Sequence, residues 1–307
     1  MSVAAETRIA CIGECMIELS QLDRADGQAH VGFAGDTLNT AVYLSRLLPG
    51  AVSYLTNLGT DGFSTRMRAM FHAEGIDCTL IGLHATRLPG IYAIEVDSTG
   101  ERSFRYWRET SAARTLFGGV GAGLDDLAGF DVIYLSGITL AILPPEVRTA
   151  LIARLGALRD AGHRIVFDSN YRPRLWPDTN TARTAFAAMW AVTTLALPSF
   201  DDETALYPGT SSAQVLDRIG AAGVIEVVLK NGAAGVLVRH EGQDQPLSLP
   251  PADRVIDTTG AGDSFNAGYL AARLMGLIPA DAATKGHQLA VRVISHHGAI
   301  IPRDAMP

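Results

Sequence analysis

Cysteine is nearly missing from this chain: 307 residues contain three, Cys11, Cys15 and Cys78. Three thiols make no paired disulfide framework and show no metal-like pattern with histidine, so Cys11 and Cys15 are expected to be packed, reduced core thiols. Charge is sparse as well. With 19% charged residues and a net charge of -7, there is no basic footprint for nucleic acid or an anionic membrane. An anionic substrate would then have to be held by individual arginines. Long apolar runs are missing too. The stretch Ile9-Ala-Cys-Ile-Gly is broken at once by Glu14, so residues 1–20 fit neither a signal peptide nor a membrane span, and a cytoplasmic protein is expected. There is no internal repeat, low-complexity tract or long linker, which points to one domain over 1–307.

What is present, 48% hydrophobic residues and 31 glycines, describes a compact globular protein rather than a disordered one. Short apolar runs at Arg8–Gly13, Val132–Ser136, Arg164–Asp168, Thr194–Leu197, Glu226–Lys230 and Gly235–Arg239 predict strands. Helical periodicity predicts helices at Thr37–Leu48, Ser64–Glu74, Pro145–Ala161, Ala182–Trp190, Ala213–Ala221, Ser264–Met275 and Pro279–Ser295. Alternation of this kind implies a mostly parallel sheet covered by helices, with ligands at the carboxyl ends of the strands. Two segments break the rhythm, 14–33 and 88–108, and read as antiparallel strand pairs inserted into the domain as a lid. If the second turns at Asp97-Ser-Thr-Gly100, Asp97 faces Glu101, Ile94 faces Phe104 and Tyr92 faces Tyr106, with Arg108 on the same face. Such a face suits a lid over a site; the alternative is a solvated hairpin with scattered aromatics.

The stretch Asp257-Thr-Thr-Gly260-Ala-Gly262-Asp263-Ser-Phe-Asn-Ala-Gly268 carries the chemistry. A helix is expected to begin near Asp263, where its unpartnered N–H groups and the amides of Gly260, Ala261 and Gly262 would form an anion hole for phosphate oxygens. A carboxylate beside a phosphate is unexpected unless it accepts a proton from an attacking hydroxyl. The other role open to Asp263 is helix capping.

Together with Gly32-Phe-Ala-Gly35-Asp-Thr-Leu-Asn39-Thr-Ala-Val-Tyr-Leu near the amino end, this stretch makes the chain resemble the ribokinase-like (PfkB) carbohydrate kinase family, from Ile9 to about Ile301. The fold implied is a three-layer α/β/α domain with a small β-sheet lid. Gly13-Glu-Cys-Met-Ile-Glu-Leu, Tyr106-Trp-Arg108, Asn170-Tyr-Arg172-Pro-Arg-Leu-Trp176 and Gly298-Ala-Ile-Ile-Pro-Arg303 are similar to the branch that phosphorylates 2-keto-3-deoxygluconate at C6. By that resemblance Asp263 is the catalytic base and Gly260, Ala261 and Gly262 the anion hole. Gly35, Asp36, Asn39, Tyr92, Tyr106, Arg108 and Arg172 would surround the sugar acid. Asn170, Lys230, Gly232, Ala233, Gly235, Gly260 and Gly262 would lie along ATP. An arginine fork such as Arg108 suits a carboxylate, which a neutral hexose lacks.

The family's Asn-x-x-Glu motif is replaced by Ser199-Phe-Asp-Asp202, so no protein metal ligand is assigned and magnesium is expected to ride on the nucleotide. His287 falls where the family places the adenine, although a lone helical histidine is more often surface or core. Rival readings are a ribose or fructose kinase of the same family and a non-catalytic sugar or nucleotide sensor. Apolar residues on the lid's other face, Ile91, Trp107 and Val31, suggest pairing with a second subunit.

Overall fold

The computed structural model describes residues 7–22, 28–96 and 102–307; the expected turn at Asp97–Gly100 and the pairing of Asp97 with Glu101 lie outside them. Fourteen strands are seen among the described residues: β1 (Ile9–Ile12), β2 (Met16–Ser20), β3 (His30–Ala34), β4 (Val52–Leu55), β5 (Asn57–Leu58), β6 (Gly82–Leu83), β7 (Gly90–Val96), β8 (Arg102–Trp107), β9 (Val132–Ser136), β10 (Arg164–Asp168), β11 (Leu195–Ala196), β12 (Glu226–Lys230), β13 (Val236–His240) and β14 (Gln243–Leu247). The helices are α1 (Asp36–Leu47), α2 (Gly62–Ala73), α3 (Gly137–Ile142), α4 (Pro145–Asp160), α5 (Thr179–Trp190), α6 (Phe200–Leu206), α7 (Ser212–Ala221), α8 (Ala261–Leu274) and α9 (Pro279–Ile294).

The main sheet runs β14-β13-β12-β11-β10-β9-β1-β4. It is parallel from β12 to β4, with β13 and β14 adding an antiparallel edge. Successive residues of its strands point to opposite faces. Ile9 and Cys11 join one buried cluster with residues of α1, α2, α8 and α9, while Ala10 and Ile12 join a second with residues of α3, α4, α5 and α7. Strands buried on both faces explain the continuous apolar runs and the three-layer α/β/α architecture. Cys11 and Cys15 are buried thiols, and burial pushes both well above the usual thiol range. Among the described residues no helix is long and apolar enough to cross a membrane.

The lid is a second sheet in the order β3-β2-β7-β8. Each inserted segment folds as an antiparallel pair, with Tyr92 opposite Tyr106 and Ile94 opposite Phe104 as the hairpin register predicts. The two pairs are joined through β2 and β7 in parallel, a long-range contact that local patterning does not reveal. Its other face is less bare than the sequence suggests. Ile91 and Val31 pack against the main core, whereas Trp107 stays 59% exposed. Strands β4, β5, β6 and β14 and helix α3 add to the expected elements.

The carboxyl ends of β1, β9, β10 and β12 bring Gly13, Ser136, Asp168 and Lys230 to one edge of the main sheet. The heads of α1 and α8 meet at that same edge, because Asn39 of α1 is hydrogen-bonded to Asp263 of α8.

Candidate active site

Helix α8 starts from Gly260, whose φ of 76° lies in the left-handed region and which supplies no side-chain cap. A Cβ there would stand 2.8 Å from the Ala299 carbonyl oxygen, so both conformation and space favour glycine. The Ala261 N–H donates to the Thr258 carbonyl at 3.2 Å, and Ser264 N–H closes the first helical turn on Gly260 at 2.9 Å. Among the described residues, the N–H groups of Gly260, Gly262 and Asp263 have no backbone acceptor, and Gly262 is exposed. The donors left open at this corner are therefore those of Gly260, Gly262 and Asp263. Ala261, one of the three expected, is already engaged in the turn.

Asp263 is the third residue of α8 and forms no side-chain cap. Its Oδ2 accepts from Asn39 Nδ2 at 2.8 Å, and its carbonyl oxygen accepts from Thr40 Oγ1 at 3.2 Å. Asn39 Oδ1 in turn receives the Gly35 N–H at 3.5 Å. Asn39 thus holds the aspartate's orientation from 224 residues away. Burial above all, then the neighbouring charges of Asp36 and Asp168, push the Asp263 carboxyl up to about 8; the Asn39 hydrogen bond and the Lys230 charge oppose this. A carboxyl titrating near neutrality is poised to take and release a proton.

Asp36 opens α1. Its Oδ2 accepts from Ser136 Oγ at 2.5 Å and from Asn170 Nδ2 at 2.7 Å, and its Oδ1 accepts from no side chain among the described residues. Asn170 has a φ of 29°, unusual for a residue with a Cβ. Its side chain is tied to Asp36, at the head of α1.

Lys230 Nζ donates to Asn266 Oδ1 at 2.9 Å and to Asp168 Oδ1 at 3.3 Å. Asn266 Nδ2 donates to Asp168 Oδ2 at 2.7 Å and to the Tyr134 hydroxyl at 3.0 Å. The Lys230 ammonium stands 3.7 Å from the point a Cβ on Gly262 would occupy. A fixed cation beside open amides suits phosphate oxygens. Gly232 and Ala233 form an exposed turn beyond Lys230, and Gly235, at φ 93°, follows it.

Arg172 Nη1 donates to Asp202 Oδ1 at 3.1 Å, and Ser169 Oγ reaches Asp202 Oδ2 at 3.3 Å. Asp202 is raised from the ordinary carboxyl range, chiefly by burial. No group of three or more His, Cys, Asp or Glu side chains suited to a metal occurs among the described residues. The oxygen donors of Asp168 and Asp202 fit a hydrated magnesium held mainly by phosphates.

In the lid, the Tyr92 and Tyr106 rings lie 5.9 Å apart. Tyr92 is buried and its hydroxyl donates to Glu18, while Tyr106 is exposed. Arg108 is buried, with its guanidinium carbon 5.8 Å from the centre of the Tyr106 ring and its Nη2 paired with Glu14. Neither Arg108 nor Arg172 is a bare fork: each already has a carboxylate partner. Met16, Ala34, Tyr92 and Ile94 pack with Ala299, the residue beside Gly260, so the Tyr92 face of the lid adjoins the Gly260 corner.

His287 bonds the Pro250 carbonyl at 2.6 Å. Two surface hollows, of about 390 Å³ and 150 Å³, lie at the amino ends of the strands and include none of these residues. Sequence reasoning missed Glu14, Glu18, Ser136, Asp168 and Asn266. Position at a strand's carboxyl end could have flagged Ser136 and Asp168, and spacing of three from Asp263 could have flagged Asn266.

Residues 6–306 match the family described as pfkB family carbohydrate kinase. The chain belongs to that family. A 2-dehydro-3-deoxygluconokinase of Dickeya dadantii is 48% identical, with 97% of this chain and 98% of the relative covered. The enzyme of the same name from Escherichia coli is 47% identical over 98% of this chain and 99% of its own length. The fold matches an aminoimidazole riboside kinase from Salmonella enterica, solved with aminoimidazole riboside and an ATP analog. The TM-score is 0.81 at 22% identity, covering 98% of this chain and 96% of that one.

Proposed function

We propose that this pfkB-family enzyme transfers the γ-phosphate of ATP to the C6 hydroxyl of 2-keto-3-deoxygluconate (2-dehydro-3-deoxygluconate), giving the 6-phospho sugar acid and ADP. The observation that carries the reading is Asp263, a carboxyl pushed up to about 8, at a helix head with open N–H groups beside it. The near-complete mutual coverage and the 47–48% identity to the two 2-dehydro-3-deoxygluconokinases favour the keto acid over ribose or fructose.

Asp263 accepts the C6 hydroxyl proton as O6 attacks the γ-phosphorus and the bond to the β,γ-bridging oxygen breaks. Asn39 holds the accepting carboxylate in place. The Gly262 and Asp263 amides and Lys230 face the charge on the transferring phosphoryl group, and such preorganised donors commonly supply the larger share of catalysis. Magnesium carried by the nucleotide would neutralise phosphate charge, with Asp168 and Asp202 within reach through water. In this reading Asp36 and Glu18 accept from sugar hydroxyls, and Arg108 and Arg172 meet the carboxylate.

A sugar or nucleotide sensor would have no use for a titrating acid at this corner. The test is ADP formation from ATP and the keto acid by the purified protein, set beside fructose, ribose and the galactose-derived epimer. Turnover of a neutral sugar in preference to the keto acid overturns the substrate; no ADP with any acceptor overturns the reaction. ATP as donor fits a cytoplasmic enzyme, and the exposed Trp107 would anchor a second copy at the lid, which sedimentation of a Trp107→Glu variant would test.

A further inference from the structure

Glu14 and Arg108 are an odd pair. Both are buried, with 1% and 6% exposure, and they join the point where the chain leaves β1 to the point where it leaves β8. Buried arginine and carboxylate usually meet fork to fork through two parallel hydrogen bonds. Here a single bond from Nη2 to Oε2 is made. Arg108 Nε and Glu14 Oε1 are both buried without a hydrogen-bond partner. Leaving such atoms unpaired is unfavourable in the interior, so a purely structural pair would close the second bond. Glycine at position 90 makes room for the arrangement: a Cβ there would lie 3.0 Å from both Glu14 Oε1 and Arg108 Cβ.

We infer that Glu14 is a positioning residue for recognition of the acid group: it grips Arg108 by one nitrogen and aims the remainder of the guanidinium at the substrate carboxylate. The Tyr106 ring supports the guanidinium from the side. Arg108 is then shared between two carboxylates, one fixed and one arriving with the substrate, and the lid does not have to search for the arginine's rotamer. This rests on the keto-acid reading above.

The experiment is a double-mutant cycle on keto-acid binding, followed by calorimetry without ATP in folded variants whose ATP-analog affinity stays within twofold. Glu14→Ala is expected to weaken keto-acid binding ~10-fold and Arg108→Ala ~100-fold, with the double variant no weaker than Arg108→Ala alone. Glu14→Gln keeps an acceptor for Nη2 and is expected to stay within about threefold of wild type; it also covers the case in which Glu14→Ala fails to fold. Unchanged binding in Glu14→Ala, losses that simply add, or a Glu14→Gln as weak as the alanine variant would each overturn the inference. Wild-type ADP formation is measured separately. Binding without phosphate transfer sinks the proposed reaction alone, and transfer without coupling sinks only the role of Glu14.

Discussion

Helices α1 and α8 both begin at a glycine without a side-chain cap, and each carries one aspartate in its first turn. The glycines answer different needs. Gly35 is extended, and what excludes a side chain is the Glu14 carbonyl oxygen, 2.1 Å from where its Cβ would be; Gly260 is left-handed as well as crowded by Ala299. The aspartates differ in the donors they receive. Asp36 accepts from two side chains, Ser136 and Asn170, through one oxygen, whereas Asp263 accepts a single side-chain bond and is pushed up to about 8. In the proposed reaction, two helix heads of like composition thus serve as one fixed acceptor and one proton carrier. The donors each aspartate receives set the two apart, not the residue type.

The comparison breaks most sharply at the two acids. Asp263→Asn should lower kcat by ~10²–10⁴-fold with nucleotide binding retained, while Asp36→Asn should act mainly through a KM for the sugar raised by about 10-fold. Comparable kcat losses in steady-state assays would erase the distinction. The glycines come next. Gly35→Ala is expected to destabilise by about 3 kcal/mol, because its backbone obstacle is the nearer at 2.1 Å, and Gly260→Ala by about 2 kcal/mol from left-handed strain and a contact at 2.8 Å. Denaturant melts would check the order.

A subtler effect concerns folding. Asp263 holds its proton more tightly folded than unfolded, so its ionisation makes wild-type stability fall as pH rises from about 4 to about 8, after which the loss is complete. Asp263→Asn lacks that slope and should be the more stable protein at pH 8, by about 1–3 kcal/mol.

The smallest expected effect sharpens the comparison best. Wild-type kcat/KM should rise with pH through about 8. Asn39→Ala removes a bond to the ionised form and should move that midpoint up, while Asp36→Asn removes a like charge and should move it down, each by about half a unit. Shifts in the same direction would contradict the charge assignment.

Much of this arrangement was legible because it is local. The glycine–aspartate run marks the start of α8, and hairpin geometry alone pairs Tyr92 with Tyr106. Family likeness brought Asp36, Asn39, Arg108 and Arg172 to attention. Their partners were not legible: Asn39 meets Asp263 across 224 residues and Asn170 meets Asp36 across 134. No periodicity encodes such distances. The side-chain amide of Asn170 reaches the first turn of α1, a contact its place after β10 does not announce. The short strand β4 sits where apolar residues run on from α1, so no change of period announces it.

The parallel seam between β2 and β7 holds four residue pairs, from Met16 beside Gly90 to Leu19 beside Ala93. Neither hairpin can tilt by itself without tearing that seam. Any tilt of this sheet is then shared by both hairpins, so Glu18 and Tyr92, side by side across the seam, keep their places relative to each other whichever way the plate leans.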